Sequence, residues 1–282
     1  MPHNSREIIE GYTLEIISRS QAIQERCRRL LSKDFASQAP IALAKTIERI
    51  CQYLEEATKA LYGLINWESI NSEELESFLY RLRDTDAIIR RLGADVRYVD
   101  GARTQRLPWS IIRAVEKFIK VLVPEITIML RPQWKYNYSI AATDLRKRYY
   151  SDLDEYQDLL PNKPLEKYVF QDFKQPFHII SFPSLERKNI LLHCLLSHEI
   201  GHLFSVSYLN KSHSDFLKNV STKIGNIVKG KYFDFNNLPL FKHNQIQKEI
   251  QYEINRAEFV WKTGLAEVLS DIVGTLLFGT NR

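Results

Sequence analysis

One short segment constrains this chain more than any other: His198, Glu199 and His202 stand in the pattern H-E-x-x-H. Residues four apart on an α-helix differ by about 40° around its axis, so both imidazoles would point the same way. Two neutral imidazole nitrogens on one helix face can hold a zinc ion. Zinc lowers the pKa of a water molecule, and the carboxylate of Glu199 could then take its proton. The pattern therefore predicts a helix that carries a metal site.

The residues before this pattern favour a helix as well. Pro183, Ser184 and Glu186 are typical of a helix start with an acidic first turn. Apolar residues follow, at Ile190, Leu191, Leu192, Leu195 and Leu196. The alternative interpretation is a pair of core histidines on an apolar helix. Because buried imidazoles need polar partners, two of them on one stripe beside an acid are hard to satisfy without a metal.

A catalytic zinc needs a third protein ligand and an open fourth position. Five downstream acids are candidates: Glu249, Glu253, Glu258, Glu267 and Asp271. Four residues near the end of the chain share one helical stripe: Gly264, Glu267, Asp271 and Gly274. We choose Glu267, since two carboxylates on a stripe of an apolar helix are costly unless they meet a cation. The two glycines would let this helix approach the histidine helix, and Glu258 is the main competitor.

These two segments resemble the metal-site helices of the gluzincin class of zinc metallopeptidases. The resemblance is carried by His198 and His202 and, on the second helix, by residues 267–276. It implies His198, His202 and Glu267 as zinc ligands and Glu199 as the general base. It also implies that Asp271 orients a ligand imidazole from behind. The fold and activity it implies are those of a zincin-like metallopeptidase domain that cleaves peptide bonds.

The rest of the chain predicts an α+β, mostly helical protein. Apolar spacing indicates helices over residues 5–33 and 40–66, and a third helix from a cap at Asn71 to an end near Gly93. The polar segment 94–107 is the expected boundary. We therefore expect an all-α N-terminal region over residues 1–100, which serves recognition, regulation or scaffolding. Residues 101–282 would form the zincin-like catalytic domain.

The second half of the sequence mixes strands with helices. Residues 125–130 and 134–140 cluster β-forming side chains, and a helix is expected after Pro108 and again over residues 142–160. Residues 177–182 read as a strand that leads into the histidine helix. We expect this strand to be an exposed edge beside the metal, where an extended peptide substrate could pair.

Composition limits the partners and the location. The formal net charge of +5 comes from interleaved charges of both signs, so nucleic acid is not an expected partner. No apolar run is long enough to predict a membrane span. The three cysteines, Cys27, Cys51 and Cys194, are far apart, which favours reduced thiols and a cytoplasmic location. The expected partner is a protein or peptide substrate, and the sequence leaves the oligomeric state open.

Two other functions remain open at this point. One is a non-catalytic helical interaction or regulatory protein that keeps a structural zinc site. The other is a metal hydrolase of a small non-peptide substrate. An open fourth coordination position would argue against the first, and a narrow cleft would favour the second.

Overall fold

The protein is mostly helical and contains a small three-stranded sheet in the described part of the chain, as a computed structural model shows. The structure describes residues 3–105, 109–122, 124–135, 137–140, 144–186, 196–212, 214–230 and 240–278. The chain separates into two compact units, Met1–Lys188 and Asn189–Arg282. The prediction of an α+β, mostly helical fold is confirmed at this level.

The first unit begins with three long helices that pack on one another: α1 (His3–Leu31), α2 (Ala39–Gly63) and α3 (Ser72–Gly101). The side chains of Ile47, Ile50 and Leu54, spaced by three or four residues, are almost fully buried on α2. At the start of α3, the Asn71 side chain accepts from the Glu74 N–H (2.9 Å) and the Glu74 carboxylate accepts from the Asn71 N–H (3.2 Å). This reciprocal cap confirms the predicted start of the third helix.

The predicted end of this helix near Gly93 is wrong, because α3 continues to Gly101. Beyond Gly93, the side chains of Val96 and Val99 are completely buried and extend the apolar stripe. A Cβ placed on Gly93 would lie 3.5 Å from Ile23 Cδ1. Gly93 therefore lies at the packing surface between α3 and α1 and does not end the helix.

The remainder of the first unit carries short helices and the sheet. Its elements are α4 (Trp109–Leu122), β1 (Thr127–Gln133), β2 (Ser139–Ile140), α5 (Leu145–Asp154), α6 (Leu165–Tyr168) and β3 (Phe177–Pro183), followed by a 3₁₀ turn over Ser184–Glu186. The Asp144 side chain accepts from the Arg146 N–H (3.0 Å) at the start of α5 and from the Phe177 N–H (2.8 Å) at the start of β3. One carboxylate thus caps the helix and ties it to the sheet.

The prediction that residues 177–182 form an exposed edge strand is wrong. The strand order is β1-β3-β2, so β3 is the central strand. It pairs in parallel with β1 from Thr127 opposite Phe177 to Gln133 opposite Pro183. On its other side it pairs antiparallel with β2 at Ile180 and Ser181. Six of the seven side chains of β3 are buried, on both faces of the strand, and such a near-continuous apolar run is typical of strands inside a parallel sheet.

A buried polar group joins α3 to α5 inside the first unit. The Asp95 side chain is almost completely buried; Arg148 forms an ion pair with it, and the Tyr149 hydroxyl donates to its Oδ2 (2.9 Å). Burial raises the pKa of Asp95, and the positive charge of Arg148 acts in the opposite direction. The boundary predicted between residues 100 and 101 falls within this unit, and α2 and α3 both contact β1.

Two of the three cysteines lie in the described residues, and both are free, buried thiols. Burial raises the pKa of the Cys27 thiol to about 12, and it raises the pKa of Cys51 further still. Both side chains are therefore uncharged and unreactive under ordinary conditions. The prediction of reduced thiols is confirmed for Cys27 and Cys51, while Cys194 lies outside the described residues.

The second unit consists of helices over its described residues: α7 (Leu196–Ser212), α8 (Ser214–Gly230) and α9 (Leu240–Phe278). Both α7 and α8 pack against α9, and the contact between α7 and α9 is the more extensive. Throughout the described part of the chain, no helix combines the length and the apolar character that crossing a bilayer would require.

Removing the Tyr149 hydroxyl tests the buried group of the first unit. Tyr149→Phe leaves the Asp95 carboxylate with one fewer hydrogen bond in a site closed to water. A hydrogen bond to a charged group contributes about 1.5–3 kcal/mol, so we expect the free energy of unfolding to fall by that amount. Urea denaturation measures it. Tyr80→Phe, at a side chain that is 66% exposed, is the matched control and should change it by less than about 0.5 kcal/mol. Equal stability of the two variants would contradict the assignment.

Candidate metal centre

The two helices that carry the predicted ligands have small residues at intervals of four: Ser197, Gly201 and Ser205 on α7, and Ala266, Ser270 and Gly274 on α9. Gly201 meets Ser270, and Gly274 meets Ser197. A Cβ on Gly201 would lie 2.6 Å from both Cα and the carbonyl oxygen of Ser270. A Cβ on Gly274 would lie 3.1 Å from Ser197 Oγ. Since the later residue of α7 meets the earlier residue of α9, the two helices run antiparallel at this contact.

The role predicted for the two glycines of α9 holds for one of them. Gly274 lies at the close contact, whereas a Cβ on Gly264 would meet no atom within 4 Å. Sequence reasoning missed the tightest position, Gly201, which lies inside the H-E-x-x-H segment. The signal was present in the small residues that recur every four positions on both helices, since such rows form the ridges and grooves of helix packing.

Three of the sequence-predicted site residues meet at this contact: His198, His202 and Glu267. The two Nε2 atoms lie 3.1 Å apart. Glu267 Oε2 lies 3.2 Å from Nε2 of His198 and 3.6 Å from Nε2 of His202. Two helix faces thus bring two ring nitrogens and one carboxylate oxygen to a single point.

These separations are those of a small coordination shell. Ligand atoms at roughly 2.0–2.1 Å from a tetrahedral zinc ion lie about 3.3–3.4 Å from one another. The three measured distances, 3.1, 3.2 and 3.6 Å, fall on both sides of this value. The donor set of two imidazoles and one carboxylate could therefore hold a metal ion at this point with little movement of the side chains.

Each imidazole has a second partner on α9, on the side that faces away from the cluster. The Nδ1–H of His198 donates to Asp271 Oδ1 (2.8 Å), because an ionised carboxylate can only accept. The Nδ1 of His202 lies 3.0 Å from Ser270 Oγ. Asp271 therefore lies where the sequence analysis places it, behind one of the two imidazoles.

Two further candidates, Glu199 and Glu258, do not belong to the group of ligand atoms that meet among the described residues. Glu199 follows His198 on α7, is partly buried and makes interactions of its own. Glu258 lies about two and a half turns before Glu267 on α9. Sequence reasoning also missed Ser270. Its sequence signal is its position directly before Asp271. Adjacent residues lie about 100° apart around a helix, so Ser270 can face one histidine while Asp271 faces the other.

Alanine at Gly201 tests the helix contact. The added methyl group would collide with the backbone of Ser270, which cannot turn away as a side chain could, so α7 and α9 must separate. Overpacking of this kind costs about 1–3 kcal/mol of unfolding free energy, and the ligand atoms would move apart with the helices. We expect Gly201→Ala to lower both stability and metal content, measured by urea denaturation and elemental analysis.

Gly264→Ala is the matched control for this substitution. A Cβ at Gly264 meets open space, and alanine is favoured over glycine within a helix by roughly 0.5–1 kcal/mol. This variant should therefore be as stable as the wild-type protein or slightly more so, with unchanged metal content. If Gly201→Ala behaved in the same way, the close contact between α7 and α9 would be incorrect.

Comparison of the chain with protein-family models, with curated proteins and with solved structures gave no match. The interpretation of this centre therefore depends on its own residues and distances.

Proposed function

We propose that this chain is a zinc-dependent hydrolase in which His198, His202 and Glu267 bind the metal and Glu199 is the general base. The observation that carries the proposal is the convergence of three ligand atoms at distances that suit a tetrahedral ion. Because the Nδ1–H of His198 is donated to Asp271, the Nε2 of a neutral His198 offers only a lone pair, and it faces a Glu267 carboxylate oxygen that can also only accept. A cation between them satisfies all three at once.

The composition of the shell supports a catalytic site over a structural one. Structural zinc sites are closed by four protein ligands, often including cysteine, whereas catalytic sites keep a position for water. Three protein ligands meet here among the described residues. The Glu267 side chain is 52% exposed, so water can reach the metal position. This argues against the alternative of a non-catalytic protein with a structural zinc.

The residues around the metal position have separate tasks in the proposed reaction. His198, His202 and Glu267 would hold a zinc ion, which would supply a Lewis acid for the scissile carbonyl group and lower the pKa of water towards neutral. Glu199 accepts the proton of the attacking water and delivers it to the leaving group. Asp271 holds the ring of His198 through its Nδ1–H.

The proposed substrate is a peptide bond, and the proposed partner is therefore a protein or peptide. The support is the resemblance of the two site helices, which both lie in the second unit, to those of gluzincin metallopeptidases. A reducing location such as the cytoplasm suits the free thiols of Cys27 and Cys51. The helices of residues 1–100 serve recognition, regulation or scaffolding in this proposal.

A small non-peptide substrate is the second candidate. One observation favours it: β3 is the central strand, paired with β1 over its length and with β2 at Ile180 and Ser181, and is not the edge strand against which an extended peptide was expected to bind. Digestion of a broad peptide library by the zinc-loaded protein separates the two candidates. Cleavage of peptides favours the metallopeptidase, and hydrolysis confined to small esters or amides favours the alternative.

Metal content tests the proposed ligands. We expect about one zinc ion per chain in the purified protein, and almost none in His198→Ala, His202→Ala or Glu267→Ala, since each change removes one of three protein ligands. Elemental analysis of protein after gel filtration measures this. Glu258→Ala, on the same helix as Glu267, is the matched control and should retain zinc. If Glu258→Ala lost zinc while Glu267→Ala retained it, the third ligand would be Glu258 and not Glu267.

Glutamine at position 199 tests the general base. The amide keeps the shape of the carboxylate but cannot accept a proton, and general bases contribute about 10²–10⁴-fold to rate. We expect Glu199→Gln to retain wild-type zinc content. Its rate of hydrolysis of the peptide, ester or amide that the wild-type protein cleaves should fall by a factor in that range. The same substitution at the exposed Glu249 should leave both unchanged. Wild-type hydrolysis by Glu199→Gln would exclude this residue as the base.

A further inference from the structure

The hydrogen bonds of Ser270 assign a protonation form to His202. Its side chain is completely buried, so the hydroxyl group cannot rely on bulk water for a partner. The oxygen lies 2.7 Å from the carbonyl oxygen of Ala266, one turn earlier on α9, and 3.0 Å from Nδ1 of His202. Both distances are those of hydrogen bonds, and a serine hydroxyl has only one proton to donate.

The single proton decides the direction of both bonds. A carbonyl oxygen can only accept, so the Ser270 hydroxyl donates to Ala266. The oxygen of Ser270 is then left as an acceptor, and Nδ1 of His202 must carry the hydrogen that it accepts. The proton of a neutral imidazole is thereby fixed on Nδ1, and the lone pair of Nε2 is directed towards His198 and Glu267.

We propose that Ser270 is a positioning residue for His202: its buried hydroxyl holds the imidazole in the form protonated at Nδ1, with Nε2 free to bind the metal. The role of Ser270 in preparing a metal ligand depends on the proposed zinc site, whereas the position of the hydrogen on the His202 ring does not. The neighbouring Asp271 has the equivalent task for His198. Two consecutive residues of α9 thus orient the two histidines of α7, one through a charged acceptor and the other through a neutral one.

The close approach of the helices is what makes this bond possible. Ser270 has a short side chain and can reach His202 only because α9 passes almost in contact with α7. The absence of a side chain at Gly201 permits this, since its Cβ would overlap the backbone of Ser270 itself. The same contact excludes water from the hydroxyl group, so the bond has no competitor.

The test begins with the zinc-free protein, because the protonation form exists before the metal binds. Long-range ¹H–¹⁵N NMR of histidine-labelled protein at pH about 8.5, where imidazole in water is neutral, reports which ring nitrogen carries the hydrogen. We expect His202 of the wild-type protein to be protonated at Nδ1. In Ser270→Ala we expect a mixture of both forms at His202 and no change at His198, which Asp271 still holds.

Thr275→Ala is the matched control. The Thr275 hydroxyl donates to the backbone carbonyl oxygen of Asp271 (2.8 Å), four residues earlier on α9, as Ser270 does to that of Ala266. It has no hydrogen bond to an imidazole among the described residues. This variant should leave the spectra of both histidines unchanged. Circular dichroism of Ser270→Ala and Thr275→Ala establishes that each retains the helical fold, and the removal of one hydroxyl introduces no new bulk.

Zinc affinity, measured by competition with a chelator, provides the second readout. Removing a hydrogen-bond partner of a metal ligand weakens metal binding about 10–100-fold. We expect Ser270→Ala to lower zinc affinity about tenfold, because the bond from His202 to Ser270 is not charge-assisted. An unchanged His202 spectrum in Ser270→Ala would overturn the proposal, even with weaker zinc binding, since packing alone would then explain the loss. If the spectrum changes but the wild-type protein binds no zinc, the assignment of Ser270 holds and the proposed function fails.

Discussion

The close approach of α7 and α9 at Gly201 is the constraint on which the candidate site depends. The backbone of Ser270 occupies the space in which any side chain at position 201 would lie. Because the helices meet backbone to backbone, short side chains on one can reach the imidazoles of the other. A separation larger by one methyl group would exceed the reach of the Ser270 hydroxyl. It would also spread ligand atoms that now lie 3.1–3.6 Å apart.

The contact also explains how α9 can serve both histidines with adjacent residues. His198 and His202 lie one turn apart on α7, and Asp271 and Ser270 face them from the opposing helix. The carboxylate gives His198 a charged partner, whereas His202 has a neutral hydroxyl that is itself fixed by a backbone carbonyl. The two imidazoles are therefore held by bonds of unequal strength, and the carboxylate of Glu267 lies close to both of their Nε2 atoms.

The rest of the chain is organised by a different interaction. In the first unit, the buried Asp95 carboxylate is matched by Arg148 and Tyr149, and this group links α3 to α5. Leaving such a carboxylate unpaired would cost several kcal/mol, so the helices of residues 1–100 and the region around the sheet are tied together. The long α3 helix crosses the polar segment that the sequence suggests as a boundary, because Val96 and Val99 extend its buried stripe.

The sequence by itself determined those features that follow from helical periodicity. The spacing of His198 and His202 places two imidazoles on one face, and the spacing of Glu267 and Asp271 does the same for two carboxylates. It could not determine which residues of the two helices touch, because that depends on the angle and offset at which they pack. Only the tertiary structure placed Ser270 behind His202, put Gly201 and Gly274 but not Gly264 at the helix contact, and placed β3 at the centre of its sheet. Local pattern specifies the faces of an element, whereas long-range packing decides which faces meet.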